Sequence, residues 1–161
     1  LHEPERVELL PGSGEGLAAL QALGFQLVVV TNQQGIGLGY YGTREFIAVN
    51  QAMFRLLARH GVKVSRVYYC PHSMADECRC RKPETLLLER ALQYYGARAE
   101  MCYLIGDEDS DAEAAARLGC PSVVVGPRGS ARASYQAASF ADAVAWVLRR
   151  EQRAPAEAAA C

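Results

Sequence analysis

With 161 residues, half of them apolar and 22% charged, the chain has the length of a single domain and enough apolar surface to build a core without disulfides. A formal net charge of −1 gives no electrostatic basis for binding nucleic acid or an anionic membrane. The longest wholly apolar runs, Leu27-Val28-Val29-Val30 among them, fall far short of the roughly 20 residues that span a bilayer, and Leu1–Arg6 holds no apolar signal-peptide core.

Strand-like and helical patterns alternate along the chain. Gly14–Leu23 carries Leu17, Leu20 and Leu23 at helical spacing and stops at Gly24. Phe25–Thr31 reads as a fully buried strand. Thr43–His60 is the longest predicted helix, with Thr43 as N-cap and an apolar stripe of Phe46, Val49, Met53, Leu56 and Leu57 ended by Gly61. A short strand (Arg66–Tyr69) leads into a Cys/His-rich loop that runs to Lys82. A helix (Glu84–Tyr94), a strand (Met101–Ile105), an Ala-rich helix (Asp111–Leu118), a strand (Pro121–Val125) and a last helix (Ser139–Arg150, capped by Ser139) complete a domain over residues 1–150. Residues 151–161 read as a flexible tail. Strands separated by helices of about ten residues imply βαβ units, hence an α/β, Rossmann-like three-layer sandwich around a mainly parallel sheet. Ligands in such sheets bind beyond the carboxyl ends of the strands. Thr31-Asn32-Gln33 and Asp107 fall at those ends.

Four stretches carry chemistry. Cys70, His72, Cys78 and Cys80 offer three thiolates and an imidazole in C-x-H-x5-C-x-C spacing, enough to close a tetrahedral, structural zinc site with no position left for substrate. Cys102 and Cys120 border apolar runs and read as free, buried thiols, so the chain is expected to be reduced and cytoplasmic. Arg81-Lys82-Pro83 puts two cations at a predicted helix start, where the dipole is also positive. An anion would balance them. Gly106-Asp107-Glu108-Asp109-Ser110-Asp111 follows a strand with carboxylates suited to Mg2+, although taken alone it reads first as an acidic helix N-terminus. Thr31–Gly39 combines a hydroxyl with glycines that let backbone amides approach a phosphoryl oxygen. It is not a dinucleotide fingerprint.

In this order the four stretches resemble motifs two, three and four of the haloacid dehalogenase (HAD) superfamily. The zinc loop running straight into Arg-Lys-Pro is similar to the subgroup of D-glycero-D-manno-heptose 1,7-bisphosphate phosphatases and histidinol-phosphate phosphatases, a likeness that covers roughly Pro4–Pro127. The resemblance implies a Mg2+-dependent phosphomonoester hydrolase that forms an aspartyl-phosphate on a small sugar phosphate. It assigns Thr31 to a phosphoryl oxygen, Asn32 and Gln33 to neighbouring substrate contacts and Arg81 to the substrate phosphate. Lys82 would carry the charge of the transferring group, Asp107 would hold Mg2+ and Asp111 would support it, with zinc on the four loop ligands.

Three departures bear on this reading. Residues 1–12 hold no Asp, so the nucleophilic Asp-x-Asp and its first strand are expected upstream of Leu1. Glu108 stands where the subgroup often has a basic residue, and Glu84-Thr85-Leu86-Leu87 lacks the heptose type's Pro-Gly-Met and is closer to the histidinol-phosphate type. His2–Gly12 and Gly35–Gly39 look more like the heptose type. A small phosphorylated metabolite acted on by a monomer is therefore expected, heptose bisphosphate ahead of histidinol phosphate. The rival from another class is a non-catalytic phosphate- or partner-binding module that lacks the nucleophile.

Overall fold

The computed structural model describes the backbone of residues 2–158 and the side chains of residues 2–152. Its elements are α1 (Ser13–Ala22), β1 (Leu27–Asn32), a short α2 (Gln34–Gly37), α3 (Thr43–Ala58), β2 (Val64–Cys70), α4 (Leu86–Tyr95), β3 (Leu104–Gly106), α5 (Asp109–Leu118), β4 (Ser122–Val125), β5 (Tyr135–Ala137) and α6 (Phe140–Ala158). Every strand pair is parallel, which requires crossover connections rather than hairpins.

The strands form two hydrogen-bonded groups, β1-β2 and β3-β4-β5, and among the described residues no ladder joins β1 to β3. Packing joins them instead. Leu20 of α1 and Val144 and Val147 of α6 form a buried cluster that receives both Leu27 of β1 and Ile105 of β3. Side chains alternate faces along a strand, so Val30 points the other way. There it packs with Tyr68 and Leu86 against buried Cys70, Cys80 and Leu87, beneath α4. Helices thus cover both faces, and the fold is the three-layer α/β sandwich expected from the alternating pattern.

Several local expectations are corrected. β1 is not fully buried: all six of its residues keep partial exposure, whereas Val123 and Val124 of β4, flanked by strands on both edges, are inaccessible. An apolar run is shielded only where neighbours close both edges, and β1 has a strand on one. The cap of α3 is Gly42 rather than Thr43, and the Glu45 carboxylate accepts the Gly42 amide at 2.8 Å. Ser139 caps α6 as expected, its hydroxyl accepting the Asp142 amide. Met101 belongs to a 3-10 turn rather than to β3. β5 escaped sequence analysis because three residues are too few to show a period, and its partner β4 alone holds it in register.

The tail is the largest difference. α6 continues through Ala158, and the Tyr103 hydroxyl donates to Glu151 at 2.6 Å, so Glu151 is part of the fold. Residues 159–161, Cys161 among them, lie outside the described residues. Cys102 and Cys120 are free and half-buried rather than fully buried. Among the described residues no helix is long and apolar enough to cross a membrane.

Burial and the bond to Glu151 raise the Tyr103 phenol from 10.0 to about 12. A raised folded pKa contributes stability that is complete below pH 10 and lost as pH rises through about 12. Tyr103→Phe should therefore be less stable than the parent chain by about 1 kcal/mol at neutral pH. Urea unfolding should show the gap closing between pH 10 and 12, and a gap that stays constant would mean the phenol does not carry it.

Candidate active site and metal cluster

β1, β2 and β3 end together on one side of the sandwich, and the residues singled out in the sequence gather at those ends. Thr31 and Asn32 close β1, Cys70 closes β2, and Asp107 follows β3. The Asn32 side chain clasps the Lys82 main chain: Oδ1 accepts the Lys82 amide at 3.0 Å and Nδ2 donates to its carbonyl at 3.2 Å. Both polar atoms of the Asn32 side chain thus hold the main chain that carries Lys82. The bond from Lys82 to Pro83 is cis.

Lys82 reaches into the space between the two strand groups. Its ammonium donates to the Val30 carbonyl at 2.8 Å and to Asp111 Oδ1 at 2.5 Å, with the two side chains only 11% and 7% exposed. Asp111 Oδ2 accepts the amides of Asp107 and Glu108, which shapes the turn between β3 and α5. Both carboxylate oxygens are thereby occupied. Gly106 makes this possible, because a Cβ there would overlap the Asp111 carboxylate. Asp107 is exposed, and among the described residues its carboxylate has no hydrogen-bond or ion-pair partner. One free carboxylate beside an occupied one suits Mg2+, which takes one or two carboxylates and fills its shell with water and phosphate.

Arg81 does not stand in the first turn of a helix. α4 starts at Leu86, and a turn closed by Glu84 N–H on the Arg81 carbonyl at 2.8 Å intervenes. The expected clash with the helix dipole is therefore relieved by distance. Arg81 Nη1 is enclosed and, among the described residues, has no hydrogen-bond partner. An enclosed guanidinium nitrogen without an acceptor is a costly arrangement unless an anion completes it.

The ligand atoms of Cys70, His72, Cys78 and Cys80 all lie within 4.8 Å of one another. Five of the six separations run from 3.0 Å (Cys70–Cys80) to 3.6 Å (Cys78–Cys80), with His72 Nδ1 at 3.1 Å from Cys80 Sγ. Three thiolates and an imidazole about 2.0–2.3 Å from one tetrahedral centre would sit about 3.5–3.8 Å apart, so the four atoms are gathered slightly tighter than a zinc shell and are of the right chemistry for one. Burial drives the Cys70 thiol up to about 12. Burial also raises Cys78, but the Cys80 amide, the neighbouring thiols and the Arg81 amide outweigh it and bring that thiol to about 7. A cation among them would hold all three as thiolates.

The glycine run does different work from that expected. Gly35–Gly37 coils into α2, and the amides of Gly37, Leu38 and Gly39 go to Pro71, Gln34 and Ile36 rather than to a ligand. A Cβ on Gly37 would press on the Pro71 carbonyl at 2.7 Å, so this glycine fits α2 against the cysteine loop. Sequence reasoning missed Tyr41, whose hydroxyl donates to Gln33 Oε1 at 2.6 Å while Gln33 Nε2 donates to Thr31 Oγ1 at 3.0 Å. Nothing in the sequence distinguishes Tyr41 from Tyr40, which stands between it and the glycine run.

Comparison with known proteins agrees with this fold. A family described as HAD-hydrolase-like matches residues 79–149. A Thermoplasma volcanium protein named "Probable D-glycero-D-manno-heptose-1,7-bisphosphate 7-phosphatase" is 36% identical over 121 residues, 74% of this chain and 83% of that protein. The chain belongs to the HAD-like phosphatases. This family hydrolyses phosphoric monoesters. The crystal structure of a D,D-heptose 1,7-bisphosphate phosphatase from B. bronchiseptica, complexed with magnesium and phosphate, superposes with a TM-score of 0.82 at 28% identity, covering 92% of this chain and 88% of that one. The "Histidine biosynthesis bifunctional protein HisB" of Legionella pneumophila is 34% identical over 115 residues, 71% of this chain but 33% of that protein.

The Lys82–Asp111 pair makes a stability prediction for this HAD-like site. Asp111→Ala strands a buried ammonium and two amides, and should cost about 3–5 kcal/mol. Asp109→Ala removes a half-exposed ion pair with Arg132 and should cost less than about 1 kcal/mol. Urea midpoints of the two variants decide the matter, and similar values would remove Asp111 from this structural role.

Proposed function

We infer that the chain is the scaffold of a Mg2+-dependent phosphatase acting on a small sugar phosphate, most like D-glycero-D-manno-heptose 1,7-bisphosphate. The observation that carries this is the enclosed, partnerless Arg81 Nη1 beside Lys82, on a strap that Asn32 and the cysteine loop hold in place. Arg81 binds the substrate phosphate, Thr31 donates to a phosphoryl oxygen, and Lys82 keeps a cation beside the transferring group. Asp107 holds Mg2+, which supplies charge neutralisation when bound. Asp111 acts behind it by fixing the turn and Lys82. The relatives named for heptose bisphosphate support that substrate over histidinol phosphate. The nucleophile is an aspartate on a further strand lying between β1 and β3, where the two strand groups share no ladder and Lys82 reaches the Val30 carbonyl.

The cysteine loop holds one zinc ion through Cys70, His72, Cys78 and Cys80, closed to substrate because all four positions are filled by protein. Protein purified without chelator should carry about one equivalent of zinc, and Cys70→Ser should lose it. Stripping the metal should speed amide exchange at Arg81 and Lys82 before the β3-β4-β5 group responds. A zinc content well below half an equivalent would count against the assignment.

Activity is tested on the chain extended at its N-terminus by a strand that carries Asp-x-Asp, with heptose 1,7-bisphosphate and histidinol phosphate compared in the presence of Mg2+. Phosphate release from the heptose ester should dominate, vanish when Mg2+ is removed, and fall at least about 100-fold in Lys82→Ala. The 161-residue chain alone should release none. Equal turnover by the short chain would place the nucleophile within these residues. Phosphate binding without turnover by either form would favour the non-catalytic module.

A further inference from the structure

Thr31 can serve a phosphoryl group only if its hydroxyl hydrogen points outward, and nothing in the threonine itself decides that. A hydroxyl both donates and accepts. If Gln33 turned its carbonyl oxygen toward Thr31, the hydroxyl would donate inward and present only lone pairs to an anion. The group that settles the direction of Gln33 lies one step farther from the site. Tyr41 meets Gln33 Oε1 at 2.6 Å, and Gln33 Nε2 meets Thr31 Oγ1 at 3.0 Å.

The chemistry of the three groups favours one polarity. A phenol is a stronger donor and a weaker acceptor than an aliphatic alcohol, so the phenol belongs on the amide oxygen and the alcohol on the amide nitrogen. Burial raises the Tyr41 pKa, which keeps the phenol protonated and donating. The ring is held as well as the hydroxyl. It lies over Gly35, where any Cβ would overlap it, and the His2 ring stacks on it at 5.6 Å with a 9° interplanar angle. The Gln33 main chain is fixed separately, its amide donating to the Cys70 carbonyl at 2.8 Å. The Tyr41 ring and the Gln33 main chain are therefore each held by contacts outside the chain of bonds itself.

The geometry points to Tyr41 and Gln33 as positioning residues that form a directional relay, Tyr41 to Gln33 to Thr31, which leaves the Thr31 hydroxyl hydrogen free for a phosphoryl oxygen. This rests on the reading of Thr31 as a phosphate ligand and adds what sets its hydrogen. Removing the phenol lets the amide turn over and the threonine donate inward. Gln33→Glu does so permanently, because a carboxylate accepts from both hydroxyls.

The test is isothermal titration of inorganic phosphate, with Mg2+ present, into the zinc-loaded chain and its variants. Tyr41→Phe keeps the ring over Gly35 and should weaken phosphate about tenfold. Gln33→Glu should weaken it further, and Tyr40→Phe, an exposed neighbour, should change nothing. The deciding measurement is the cycle with Thr31→Val. Once the Thr31 hydroxyl is gone, adding Tyr41→Phe should have no further effect, because the phenol acts only through it. Additive losses in the double variant, or full affinity in Tyr41→Phe with an unchanged melting curve, would overturn the relay while leaving Thr31 a phosphate ligand. Full affinity in Thr31→Val, or no phosphate binding by the parent chain, would remove the phosphate reading of Thr31 and the relay together.

Discussion

Lys82 and Asp111 form their ion pair where water is largely absent, and the arrangement of the site depends on that pair being fully satisfied. Taking two charges out of water costs several kcal/mol each, and their attraction compensates only when hydrogen bonds complete both partners. Here the carboxylate accepts three donors, from the Lys82 ammonium and the Asp107 and Glu108 amides, while the ammonium also reaches the Val30 carbonyl. One contact therefore ties the end of β1 to the turn after β3, the two places where the strand groups approach each other without a ladder. It also divides the labour between two aspartates of one acidic stretch. Asp111 is consumed in holding the turn, which leaves Asp107 exposed and uncommitted.

The metal-binding loop solves a related problem. A pair of adjacent cations repel each other and would spread into solvent if their main chain were free. Cys80 directly precedes Arg81, and it is gathered with Cys70 at the end of β2, so the strap that carries the cations starts from a fixed point. Asn32 fixes it again two residues later. Gly37 brings α2 against Pro71 in the same loop, and Gln33 donates its amide to Cys70. The segment after β1 and the loop after β2 are thus one packed unit, although about 40 residues separate them in sequence. Arg81 Nη1 is the buried side-chain nitrogen that this unit leaves without a hydrogen-bond partner among the described residues.

Much of this was legible without coordinates because it depends on local pattern. Alternating apolar runs and helical stripes are properties of ten-residue windows. Four soft metal ligands within eleven residues need only a loop to converge, and the polar residues at strand ends follow from the rule that parallel strands present their carboxyl ends to ligands. The sequence by itself therefore determined the layered α/β fold and the gathering of the four ligand residues.

What each residue does with its side chain was decided by the tertiary structure. The Asn32 side chain clasps the Lys82 main chain, Asp111 is the buried counter-charge of Lys82, and Gly35 and Gly37 allow close packing after β1. Tyr41 showed no signal, because its partner Gln33 lies eight residues away across a turn whose course the local pattern did not reveal. Glu151 opens a stretch whose Ala-rich composition reads as tail, yet a tyrosine 48 residues earlier holds it. In each case the residue type sets what bonds are available, but the choice among them is made by whichever partner the distant chain brings within about 3 Å. That proximity is a property of the packed whole, created by burial that no short window of sequence contains.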